Sequence, residues 1–90
     1  MDIQISTLAV LGMIAEERER QLDKWGLQHH SNTRWITILA EEFGEAAKEV
    51  CDSLENQQDR KEQLVDELVQ VAAVATAFIE DLMNQNESTD

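Results

Sequence analysis

No proline and only three glycines interrupt the ninety residues, so helices can run long and turns must be few. Aromatic residues are scarce at 4%, while Ala, Leu, Val, Glu and Gln are plentiful, which is a helical composition. The single cysteine, Cys51, excludes an internal disulfide and a cysteine-based zinc cage. It reads as a small packed residue. Two histidines, His29 and His30, are adjacent. A di-iron carboxylate centre needs Glu-x-x-His on two helices and is thereby disfavoured. No apolar run approaches the roughly 20 residues of a membrane span. The opening MDIQIST lacks a basic stretch, so no secretory signal is expected and the expected location is the reducing cytoplasm. No Gly-rich phosphate loop is present.

What is abundant is negative charge: 19 acids against 7 bases, a formal net charge of −12. Phosphate backbones should repel such a chain, which argues against a nucleic-acid partner and favours divalent cations or basic surfaces.

The hydrophobic spacing predicts three helices. The first spans about 5–25, with an apolar stripe of Ile5, Leu8, Leu11, Ile14 and Ala15 before the charged run EERERQLDK, and Gly26 is its stop. GLQHHSN, residues 26–32, is a loop whose Ser31 or Asn32 can cap the second helix. That helix runs from about Thr33 to Ser53 or Leu54, with Ile36, Leu39, Phe43, Ala47, Val50 and Leu54 facing the core. Residues 55–63 have no apolar side chain and read as a connector, with Asp59 and Glu62 fitting a capping-box start.

The third helix, to about Met83, is apolar on most of its circumference. Leu64, Leu68, Val71, Ala75, Phe78, Ile79 and Leu82 make one face, and Val74 and Ala77 lie opposite. A helix of that kind needs several neighbours. A single domain over residues 1–83 is expected, with 84–90 as a polar, disordered tail. The fold class is all-α: an antiparallel bundle of three main helices per chain, completed by dimerisation.

Within LAEEFGEAAKEV, residues 39–50, Glu42 and Glu45 are three apart and Glu49 follows, along the margin of the apolar face. Glu41 lies farther round. On the third helix Asp66, Glu67 and Gln70 form a polar strip, with Glu67 and Gln70 also three apart. Residues i and i+3 project to one side, so two antiparallel helices can set four oxygen-bearing side chains around one point. Hard cations take such a set, and Mg²⁺ keeps waters for substrate phosphates. With so many acids the pairs can also be a solvated flank, and that alternative stays open.

ILAEEFGEAAKEV followed by DELVQVAAVATAFIE resembles the MazG-like, all-α nucleotide pyrophosphohydrolases, whose pattern is E-x-x-E, a spacer, then E-x-x-D. Glu42 and Glu45 match the first half, and Glu67 with Gln70 the second, Gln70 standing where the family has Asp. RERQLDKWGLQHH, residues 18–30, resembles the segment preceding the motif in small phage-type members, so the likeness covers about 15–82.

The resemblance implies Mg²⁺-dependent hydrolysis of nucleoside triphosphates to monophosphate and pyrophosphate, a nucleotide-pool house-cleaning role, with Mn²⁺ as a substitute metal. It implies metal ligation by Glu42, Glu45, Glu67 and Gln70, and a general base in Glu41 or Glu45. Lys24, Trp25, His30 and Trp35 would contact substrate. The partners implied are the nucleotide and a second copy, as a homodimer or a dimer of dimers. The competing reading is a non-catalytic acidic helical module that binds nucleotide or a basic protein, and the lost charge at Gln70 keeps it alive.

Overall fold

The computed structural model of the chain describes residues 2–56 and 59–88. They form α1 (Asp2–Trp25), α2 (Asn32–Asn56) and α3 (Lys61–Ser88), with no strand among them. No helix is long and apolar enough to cross a membrane. The ends of the helices follow local chemistry. Gly26 adopts φ 70° and its N–H donates to the Leu22 carbonyl at 2.8 Å, closing α1 with a left-handed residue. Ser31 caps α2, its Oγ accepting from the Arg34 N–H at 3.1 Å. Asp59 Oδ1 accepts from the Lys61 N–H at 3.0 Å and opens α3.

α3 is the central element. Both α1 and α2 pack on it and not on each other. Trp35 against Phe78 and Glu49 against Arg60 give α2 and α3 opposite directions. The buried apolar residues are few and mostly small: Trp35, Ala46, Ala73, Val74 and Ala77.

Three expectations are corrected. On α2 the buried line is Trp35, Ile38, Glu42 and Ala46, rotated by about one residue from the predicted stripe. Ile36, Phe43, Ala47, Val50 and Leu54 are exposed in the single chain, and only Leu39 is half-buried. On α3 the Ala73–Val74–Ala77 side is buried, whereas Leu68, Ile79 and Leu82 are exposed. On α1, Leu8, Leu11 and Ala15 are exposed and Ile14 half-buried, while Glu17, Arg18 and Gln21 are the residues buried against the bundle. The side chain of Ile5 lies outside the described residues.

Two smaller differences concern the ends of the chain and Cys51. Asn84–Ser88 continue α3 rather than forming a tail, because Asn, Gln, Glu and Ser tolerate a helix that a core already anchors. The remainder of the predicted tail, Thr89 and Asp90, and Gln57 and Gln58 of the connector lie outside the described residues. Cys51 is exposed rather than packed, since it sits on α2 away from the Ala46 face.

Candidate functional site

The α2–α3 pairing sets Glu67 of the second half of the acidic pattern close enough to act on Glu42 of the first. Glu42 lies one helical turn before Ala46 and two after Trp35, so the packing that buries those residues half-buries it as well. Glu67 and Gln70, on the facing side of α3, are also half-buried. The electrostatics report the juxtaposition. The Glu42 carboxyl is pushed above its ordinary value, first by burial, then by the charge of Glu67 across the interface, then by Glu45 and Glu41 on its own helix. Glu41 and Glu45 are solvent-exposed, and so is Asp66. Glu49 leaves the acidic strip altogether. Arg60 grips it with both guanidinium arms, Nε at 2.6 Å and Nη2 at 3.3 Å, and these hydrogen bonds hold its carboxyl below the usual range.

A cleft of about 180 Å³ opens beside Glu42 and Gln70. Its lining joins all three helices and the loop: Arg18 and Gln21 from α1, Trp25, Gly26 and Gln28 at the first turn, Trp35 and Ile38 from α2, Val74 and Ala77 from α3. Trp25, Trp35, Glu42 and Gln70, four of the residues singled out in the sequence, therefore share one cavity. Two other predicted residues sit against its tryptophans. Lys24 places Nζ 4.9 Å above the Trp25 ring. His30 meets Trp35 edge-on at 4.8 Å. The two tryptophans differ in kind: Trp35 is buried and stacked on Phe78 at 5.7 Å, while Trp25 is 56% exposed.

Two residues of this region were not found by sequence reasoning. Arg18 Nε and Nη2 reach Glu80 of α3 at 2.9 and 2.8 Å, and the buried guanidinium walls the cleft. Asp81 is 7% exposed. It accepts from the Trp35 Nε1–H at 2.7 Å and the His30 N–H at 3.0 Å. Its signal was spacing: it falls four and seven residues after Ala77 and Val74, on the helix side that is buried.

Among the described residues, no group of three or more His, Cys, Asp or Glu is gathered as a metal cage. The oxygen donors that could hold a hard cation here are Glu42, Glu67 and Gln70. Mg²⁺ is held by one or two carboxylates with substrate phosphates, not by an all-protein cage. Glu42 and Glu67 supply two opposed carboxylates, and Gln70 supplies an amide oxygen.

The raised Glu42 carboxyl makes a pH-dependent prediction. Between its ordinary value of 4.5 and its higher folded value, the folded state binds more protons than the unfolded one, so stability rises as pH falls through that window. At neutral pH without divalent cations, Glu42→Gln should melt about 1–4 °C above wild type through relief of like-charge repulsion. The gap should close on acidification towards pH 4.5. A variant that melts lower at neutral pH, or a gap that ignores pH, would contradict the placement of Glu42.

No protein-family model, curated protein or solved structure matches the chain, so the functional reading rests on the residues themselves.

Proposed function

We propose that the chain is a MazG-like, Mg²⁺-dependent nucleoside triphosphate pyrophosphohydrolase that releases a monophosphate and pyrophosphate and works as a homodimer. The observation that carries this reading is the opposition of Glu42 and Glu67 across α2 and α3, electrostatically unfavourable by itself, at the edge of a cleft lined by Gln70, Arg18 and an exposed indole. Like charges held together near an apolar margin are resolved by a cation.

Glu42, Glu67 and Gln70 would hold Mg²⁺, with Glu45 on the solvent side. A cation bound there neutralises phosphate charge and lowers the pKa of attacking water. Glu45, one turn from Glu42 and open to solvent, is suited to accept the proton of that water, and Glu41 is the alternative base. The Trp25 face offers stacking to a nucleobase, and Lys24 above the ring adds positive charge at the same edge. Arg18, neutralised by Glu80, shapes the wall instead of presenting free charge.

The dimer is supported by an apolar groove between α2 and α3, lined by Ile36, Leu39, Phe43, Leu68, Val71 and Ala75. Phe43 is 63% exposed there. The radius of gyration of 15.4 Å exceeds the about 12 Å of a compact chain this long. Two antiparallel helices presenting one groove are complementary to the same pair in a second copy, packed about a two-fold axis as a four-helix core.

The test is pyrophosphate release from a panel of ribo- and deoxyribonucleoside triphosphates with Mg²⁺. Turnover of at least one of them that stops on chelation is expected. No metal-dependent turnover on any nucleotide would leave the non-catalytic acidic module as the reading.

A further inference from the structure

A buried carboxylate holds the loop at the cleft's outer wall. Asp81 Oδ2 accepts both the Trp35 indole N–H at 2.7 Å and the His30 backbone N–H at 3.0 Å. Oδ1 lies 2.9 Å from His29 Nδ1, and because a carboxylate only accepts, that contact requires the Nδ1–H tautomer. Gln85, one turn along α3, also approaches the His29 ring, at 3.4 Å. Three donors from residues 29–35 thus converge on one side chain of α3. The loop and the start of α2 also contribute Gln28 and Trp35 to the cleft.

We propose that Asp81 is a positioning residue. It fastens the α1–α2 loop and the Trp35 ring to α3, so that the wall of the cleft is set before a ligand enters. A short loop left free would have to be ordered on binding, and the entropy of that ordering is charged to affinity. Preorganisation of this sort acts on ground-state binding, so its loss raises KM more than it lowers kcat. The ligand side of this proposal rests on the nucleotide reading above, whereas the fastening does not.

The experiment compares wild type with Asp81→Asn, Asp81→Glu and His29→Ala in two measurements. The first is amide exchange of His30 and the NMR position of the Trp35 indole proton, which need no ligand. Asparagine keeps the shape but turns an NH₂ towards a donor. His30 should therefore exchange at least about tenfold faster in Asp81→Asn, with the α3 amide of Ala73 unchanged. Asp81→Glu, which keeps both acceptor oxygens, should recover part of the protection. His29→Ala removes an exposed partner without touching the core and should raise His30 exchange several-fold. The second is the nucleotide panel with Mg²⁺, where Asp81→Asn should raise KM about tenfold with kcat within about threefold of wild type.

Protection and indole position unchanged in Asp81→Asn would overturn the fastening. If that variant does not fold, unchanged His30 exchange in His29→Ala overturns it. Faster exchange with an unchanged KM overturns the positioning role. A wild type inactive on every nucleotide refutes the enzyme reading while the exchange data still decide the fastening.

Discussion

Glu42→Gln and Glu67→Gln should each reduce Mg²⁺-dependent pyrophosphate release by at least about 100-fold, because even groups that only orient a metal ligand are worth about 10–100-fold. The charge of Glu67 on α3 acts on the Glu42 carboxyl of α2, and neither carboxylate alone offers a cation more than one formal charge. Neither substitution should unfold the chain. Both side chains are only half-buried, and glutamine preserves their shape while removing repulsion. Asp66→Asn is the control. Asp66 is adjacent to Glu67 in sequence but exposed, and its loss should leave turnover within about twofold of wild type, as surface changes usually do. A loss of activity in Asp66→Asn equal to that in Glu67→Gln would show a diffuse charge effect in place of ligation.

Phe43→Glu should convert the protein to a monomer. In a two-fold assembly each substitution occurs twice, and each would place a charge in a groove lined only by apolar side chains such as Ile36, Leu68 and Val71. At about 2 kcal/mol per copy the association weakens about a thousandfold. Sedimentation or light scattering at micromolar concentration reads this directly. The monomer should also melt far lower, because the buried apolar core among the described residues of one chain is only Trp35, Val74 and three alanines. Wild type that sediments as a monomer at high concentration would remove the proposed assembly and leave the exposed stripe without an explanation.

That stripe also shows where the sequence was legible. The number of helices and the turn at Gly26 followed from glycine and from polar gaps in the apolar pattern. The sequence left the α2 cap between Ser31 and Asn32, and the structure gives it to Ser31. The phase of α2 was not readable. Ile36, Phe43 and Val50 form a good periodic face, and so do Trp35, Ile38 and Ala46. Periodicity gives apolar faces and does not say which of two is covered inside one chain. α3 carried the missing information in its apolar circumference, which already required more neighbours than one chain supplies.

In the site, Glu42, Glu67 and Gln70 were singled out by their i, i+3 spacing, and Trp25 and Trp35 through the family resemblance. Arg18 and Asp81 were not, since their partners Glu80 and Trp35 lie 62 and 46 residues away. Charges in a chain of −12 look alike until a long-range partner distinguishes them. Glu49 is claimed by Arg60 of the connector, which the helical spacing of α2 alone does not place.

The central claim is that Glu42 and Glu67 share one cation. Thermal unfolding of wild type, Glu42→Gln, Glu67→Gln and the double variant, each titrated with Mg²⁺ and with Mn²⁺, tests it most directly. A cation bound only by the folded state raises the melting point as its concentration passes the dissociation constant. The expected result is a saturable rise in wild type, near-complete loss of it in either single variant, and no further loss in the double, the non-additivity of two groups acting on one ion. Four proteins that respond alike, or a wild type that does not respond at all, would contradict it.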